Sequence, residues 1–352
     1  MRYLEFGIFL PIAKNGFIAS RNTAQFMPTW ELNRDVTLKC EELGFEFALS
    51  MVKHRGFGGV TEYWDYAQDS YTLMAGLAPI TKRIELYPSI ANLTMHPAIC
   101  ARMAVTIDHM SHGRFGLNIV SGWYKDEYQQ MGLWPGDEHY ETRYDYATEY
   151  VTILKELWRD GVSNFKGKYF QLDHCQCKPL PTRDLPIVCA GQSGRGLRFT
   201  AEMGDRNFVI GDIAKLREIS AEVKSEAGKC GRTVGTIALN NIIAAESDAE
   251  AQARFDHIVE GADVGALVNI TGQAELDKSE GMSMSLKKKA MFMGLPTLVG
   301  SFKTIAEYFD RMAAETDVAA VMLAFPDFRQ DLADFEKHVW PRLECRKGTR
   351  EA

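Results

Sequence analysis

The sequence predicts an α/β fold, a parallel (β/α)8 TIM barrel, and three observations carry that prediction. Apolar strand-like runs alternate with amphipathic helical stretches along the chain, the pattern of a parallel sheet covered by helices. Eight such units fit within 352 residues without a break in composition, which favours one barrel over two doubly wound domains. No G-x-G-x-x-G follows the first strand, so the dinucleotide fingerprint of the doubly wound alternative is missing. Residues 1–352 are therefore expected to form a single barrel domain, with insertions at about 166–181 and 263–294.

Each unit has its own signal. Leu4–Pro11 is an apolar run read as the first strand, and a polar loop leads to a helix over Glu31–Leu43 closed by Gly44. Glu46–Lys53 is the second strand, followed by the glycine-rich loop Arg55–Gly59 and a helix over Ser70–Ala78. Ile84–Ile90 is the third, and Pro97 opens a helix over Ala98–Met110. Phe115–Val120 is the fourth, with its helix over Arg143–Trp158. Ile187–Ala190, Asn207–Ile210, Gly235–Ala245 and Val318–Ala324 complete the eight. Lys166–Pro181 reads as a hairpin inserted after the fourth helix. Asp263–Gly294 is polar, then rich in methionine and lysine, with no clear period; it reads either as a lid over the site or as a solvated insertion.

Composition narrows the function. A net charge of −7 and the lack of a basic arm argue against a nucleic-acid partner. No apolar run is long enough to span a membrane. The N-terminal apolar run is broken by Glu5 and reads as a strand, not a signal peptide. Seven scattered cysteines fit reduced thiols and a cytoplasmic location better than a disulfide framework. His174-Cys175-Gln176-Cys177 has neither the spacing nor the ligand number of a zinc site, so no metal is expected.

In a barrel the chemistry gathers at the C-terminal ends of the strands. Those ends supply Val52, Lys53, Ser89, Asn118 and Gly191-Gln192-Ser193, with Glu127 and Arg143-Tyr144 following in the fourth crossover. Asn118 is the sharpest of these, because an amide inside a buried apolar strand costs free energy unless something hydrogen-bonds it. The set consists of hydrogen-bonding groups and one fixed cation, without a nucleophile elbow or an H-E-x-x-H motif. It suits a large polar cofactor that supplies the chemistry itself. Ser193 at a glycine-rich helix start, with Arg143 and Tyr144, suits a phosphate. The plainer readings are an N-cap for Ser193 and exposed helix or loop charges for Arg143 and Lys53.

Several segments together resemble the bacterial-luciferase-like flavin monooxygenases, a TIM-barrel family, and within it the branch that oxygenates pyrimidines in uracil breakdown. They are FALSMVKHRGFGG (47–59), ARMAVTIDHMSHGRFGLNIVSGW (101–123), QMGLWPGD (130–137), RYDYATEYV (143–151), CAGQSGRG (189–196) and LVGS (298–301), in family order and spacing. The resemblance implies FMN binding by Val52, Lys53, Asn118, Glu127, Arg143, Tyr144 and Ser193. The last three of these fall near the phosphate. Ser89 and Asn118 fall at the oxygen-reactive edge of the flavin, as the catalytic pair. It further implies that a separate NAD(P)H-dependent reductase supplies FMNH2, that O2 is activated as a flavin peroxide, and that a cyclic amide such as uracil or thymine is ring-opened. A homodimer or homotetramer is expected on the same ground. Trp123 is either a wall of the substrate pocket or a rim aromatic. His54 and His96 depart from the family pattern; they are either pocket residues, which would admit another N-heterocycle or a flavin-type ring, or surface residues. The competing readings are an F420-dependent dehydrogenase and a non-catalytic flavin-storage protein.

Overall fold

The computed structural model describes residues 2–192, 194–277 and 289–347. Its first strand, β1 (Glu5–Leu10), leads to α1 (Trp30–Leu43), β2 (Phe47–Ser50), α2 (Ser70–Leu77), β3 (Glu85–Ala91) and α3 (Pro97–Ser111). β4 (Leu117–Val120) is followed by the short α4 (Lys125–Gln129), the long α5 (His139–Asp160), and a hairpin of β5 (Val162–Ser163) with β6 (Cys175–Gln176). Then come β7 (Ile187–Ala190), α6 (Gly194–Met203), β8 (Arg206–Val209), α7 (Ile213–Lys229) and β9 (Gly235–Ala245). α8 (Asp248–Glu260), α9 (Val264–Leu276), β10 (Thr297–Ser301), α10 (Phe302–Glu315) and β11 (Val318–Ala324) complete the elements used below.

Strands β1, β2, β3, β4, β7, β8, β9 and β11 pair in parallel and close on themselves through β9–β11 and β11–β1. All eight expected strands are present. β2 and β4 are shorter than their apolar runs, because Met51–Lys53 leave the ladder and Phe115 makes only an isolated bridge to Leu86. α5 begins four residues earlier than expected, which sets Arg143 within the helix instead of at its first residue. The hairpin pairing starts at Val162, ahead of the expected insertion. No helix among the described residues is long and apolar enough to cross a membrane.

Two elements were not legible as such. β10 is a five-residue run that adds to the C-terminal half of β9 from Asn241 to Ala245. α9 occupies the front of the 263–294 insertion, where no period was visible. It buries Ala266, Ile270 and Ala274 yet leaves Val264 and Val268 exposed, so apolar residues on both faces erase the helical signal. Asp263 caps it, accepting from Ala266 N at 3.2 Å and from Thr61 N and Oγ1 at 2.8 and 2.7 Å. The rest of that insertion, 278–288, lies outside the described residues.

Alternation along the strands decides which end of the barrel is open. At the N-terminal end Glu5 and Arg206 form an ion pair at 2.7 Å, and the rings of Phe47 and Tyr87 meet edge-on with centroids 6.1 Å apart. Gly7 and Gly116 make room for those rings, since a Cβ there would lie 2.2 Å from Phe47 and 2.1 Å from Tyr87. The floor is therefore filled. One layer higher, Phe9, Leu49, Ser89, Asn118, Ala190 and Phe208 surround open space instead.

Candidate active site

That space is a cavity of about 890 Å³ at the C-terminal ends of the strands, within the range of cofactor and small-ligand sites. On one side β3 and β4 bring Ser89 and Asn118 into direct register. Asn118 Nδ2 donates to Ser89 Oγ at 2.6 Å, while the buried Oδ1 has no hydrogen-bond partner among the described residues. The Ser89 backbone N–H donates to Ser70 Oγ at 2.9 Å, and that hydroxyl lies 2.5 Å from Ser50 Oγ. The amide singled out from the sequence is thus held in place at the cavity wall. A buried acceptor without a donor is costly unless something bound there supplies one.

Across the cavity lie α5, the end of α9 and the β7–α6 turn. Arg143 Nη1 donates to Asp277 Oδ2 at 2.8 Å, a buried ion pair joining α5 to the residue just past α9. The Arg143 guanidinium also lies 5.3 Å from the Tyr144 ring centroid. In the β7–α6 turn, Gly191 packs against the Gly196 carbonyl and Gly196 packs against the Tyr144 hydroxyl. Gln192 Oε1 accepts from Ile210 N at 3.0 Å, tying the turn to the end of β8. The first turn of α6 opens onto the cavity through Gly194, Arg195 and Gly196. Ser193 lies outside the described residues. A Cβ on Gly191 would sit 2.2 Å from the Gly196 oxygen, a backbone atom that cannot swing aside. Gly191→Ala is therefore expected to cost about 1–3 kcal/mol of stability, seen as a lower Tm, and to weaken whatever binds in the turn.

The third wall is aromatic. Lys53 is buried with its Nζ 3.2 Å from Glu127, and the rings of Tyr124, Trp64, Phe57 and Trp123 surround it with centroids 4.8, 5.4, 5.6 and 5.6 Å away. Burial pulls the Lys53 ammonium below its ordinary pKa, and Glu127 opposes that shift. Glu127 also accepts from His54 N at 2.6 Å. Val52, Lys53, Trp64 and Trp123 line the cavity. Glu127 stands behind Lys53, outside the lining.

The two histidines are not brought to this cavity. His54 is exposed, and its backbone atoms are engaged by Glu127 and Gln130. His96 is also exposed, caps α3 by accepting from Ala98 N at 3.2 Å, and packs edge-on against Phe170. Residues that sequence reading missed include Asp277, hidden in the aperiodic insertion, and Trp64. Trp64 lines the cavity from a backbone at φ 63°, an uncommon conformation for a bulky residue that gives no sequence signal.

One histidine supports the site from behind. His139 Nε2 lies 2.7 Å from the Ser121 carbonyl, pinning the turn that follows β4. Burial lowers its pKa; the Ser121 carbonyl opposes this and the Arg143 guanidinium adds to it. The unfolded chain therefore takes up this proton at higher pH than the folded protein. Its effect on stability is absent well above the ordinary value of 6.5, and stability falls as pH drops from there through the lower folded value. His139→Gln is expected to flatten that part of the Tm-versus-pH curve, as followed by thermal melts across the acid range.

A parallel barrel whose strand-end cavity joins a strand-borne amide, a buried arginine and a helix N-terminus defines an enzyme built around a large polar cofactor. The luciferase-like monooxygenase family profile matches residues 4–318. Two relatives named pyrimidine monooxygenase RutA extend the likeness over nearly the whole chain. The one from Cronobacter turicensis is 44% identical, covering 99% of this chain and 94% of its own length. The one from a Bradyrhizobium species is 46% identical, covering 97% of this chain and 98% of its own. Among solved structures, long-chain alkane monooxygenase LadA superposes with a TM-score of 0.83 at 19% identity, covering 100% of this chain and 93% of that one. The chain belongs to the luciferase-like monooxygenase family, and is an oxidoreductase of that class.

Proposed function

We propose that the protein is the oxygenating half of a two-component, FMN-dependent monooxygenase acting on a pyrimidine such as uracil or thymine, whose ring it opens. The observation that supports the cofactor is the buried amide of Asn118, whose Oδ1 has no hydrogen-bond partner among the described residues, on the wall of a cavity that Arg143 and the first turn of α6 also line. These groups fit FMN: an acceptor for the polar edge of the ring system at one end, a cation and helix N–H groups for its phosphate at the other. Val52, Lys53, Asn118, Glu127, Arg143, Tyr144 and Ser193 would hold it, Glu127 acting through Lys53 and the His54 backbone. Reduced FMN, when bound, activates O2 for transfer to the substrate. Asn118 and Ser89 orient the reacting edge, Trp64 and Trp123 give a planar substrate flat walls, and the apolar lining from Phe9, Leu49 and Phe208 excludes water.

The relatives' names support a pyrimidine substrate. NAD(P)H enters through a separate flavin reductase, and the chain works as one domain in a cytoplasmic homodimer or homotetramer. The test supplies uracil, FMN, NADH, a flavin reductase and isotopically labelled O2. Label is expected in a ring-opened product only when the reductase is present. Turnover with unlabelled product, or oxygen-independent hydride transfer with F420, would overturn the reading.

A further inference from the structure

The cavity wall beside α6 carries a second arginine, outside the set assigned to the cofactor. Arg195 is the second residue of α6 and lines the cavity together with Gly194 and Gly196. A cation in the first turn of a helix opposes the dipole, which favours anions at that end. No acidic residue in the first turn of α6 offsets it. Its compensation comes from α5 instead: Nη2 pairs with Asp145 at 2.5 Å, and Nη1 donates to the Glu141 carbonyl oxygen at 2.5 Å.

Arg143 and Arg195 are held in unlike ways. The Arg143–Asp277 pair is buried, with side chains 10% and 2% exposed, so drawing that guanidinium away would strand a carboxylate out of water. The Arg195–Asp145 pair is open, with side chains 48% and 55% exposed. An open pair of this kind contributes little stability, and Asp145 released from it would stay hydrated. Arg195 can therefore change partners where Arg143 cannot. A phosphate monoester carries a charge of about −1.5 to −2 at pH 7, and its oxygens suit the planar fork of a guanidinium better than one carboxylate oxygen does.

We infer that Arg195 and Asp145 form a partner-exchange pair that sets how long the cofactor stays: Arg195 gives its guanidinium to the phosphate of a flavin mononucleotide, and Asp145 competes for it. A flavin that is reduced on another protein must enter and leave in every cycle. A carboxylate that reclaims the guanidinium as the phosphate departs shortens each stay. Arg143, fixed by Asp277, supplies the charge that does not move. The exchange acts on the phosphate alone, so it distinguishes FMN from riboflavin, which has the same ring system without the phosphate.

The inference rests on the two-component FMN reading, and one experiment separates the two. Fluorescence titrations and stopped-flow dissociation compare FMN with riboflavin on wild type, Arg195→Met and Asp145→Asn. Wild type is expected to bind FMN at least about tenfold more tightly than riboflavin. Arg195→Met should weaken FMN by about five- to tenfold and leave riboflavin within about twofold. Asp145→Asn should act in the opposite direction, tightening FMN by about three- to tenfold through slower dissociation, with riboflavin again unchanged. A pair that merely ties α6 to α5 would weaken FMN in both variants. Arg195→Lys keeps the charge without the fork, and repeats the first measurement with a smaller loss if Arg195→Met is unstable. Equal loss of both flavins in the Arg195 variants, or no tightening of FMN in Asp145→Asn, overturns the exchange and leaves the FMN reading standing. Binding of both flavins to wild type without preference does the same. If wild type binds neither flavin, the FMN reading falls and this inference with it.

Discussion

Asn118→Ala is expected to reduce oxygenation by about 10²–10³-fold, the usual effect of removing one preorganised polar contact at a reacting centre, while leaving the fold intact. The amide sits on β4 in register with Ser89, and its Nδ2 bond to Ser89 Oγ is 2.6 Å. Its Oδ1 has no partner among the described residues to lose, so truncation removes an unsatisfied acceptor and costs little in stability. Product formation in a single turnover, with reduced FMN supplied chemically, isolates this step from the reductase. A melt on the same sample reports stability. Near-wild-type product formation would remove the residue on which the reading turns. Ser89→Ala should show a smaller loss, because it frees Asn118 Nδ2 without deleting the amide.

Arg143→Met is expected to have the largest effect on stability. It leaves the buried carboxylate of Asp277 without its guanidinium at 2.8 Å, and breaking such a pair from one side costs about 3–5 kcal/mol. FMN affinity should fall with it, by about two orders of magnitude if the guanidinium serves the phosphate. Asp277→Asn is the informative comparison. It also loses stability, but removes a negative charge beside the proposed phosphate site, so FMN affinity should hold or rise. Denaturant melts together with FMN fluorescence titrations on both variants measure the two effects. Parallel losses of FMN affinity in the two variants would show that the pair acts as a structural unit only.

What the sequence discloses follows from how local each feature is. Ser89 and Asn118 are legible because strand parity and burial are short-range, and an amide in an apolar run is out of place without a ligand. The eight strands are legible for the same reason. The partner of Arg143 is not: Asp277 lies 134 residues away, inside an insertion whose helix shows no period. His54 and His96 show the limit from the other side. Their residue type suggests chemistry, but both follow strand exits, where the backbone leaves the ladder and parity no longer says which way a side chain points. The aromatic enclosure of Lys53 draws on three separate stretches, Phe57, Trp64 and Trp123–Tyr124. Only the closed fold brings them together.

The filled barrel floor also governs traffic. Phe47, Tyr87 and the Glu5–Arg206 pair occupy the end opposite the cavity, so a molecule that reaches Asn118 enters by the strand-end mouth and must leave by it. A guest seated on Ser89 and Asn118 is the inner one, and any second guest stands between it and solvent. With the proposed function, the expected order is last-in, first-out: flavin before substrate, product before spent flavin. A closed floor, remote from any reacting atom, would thereby set the kinetic order of such an enzyme.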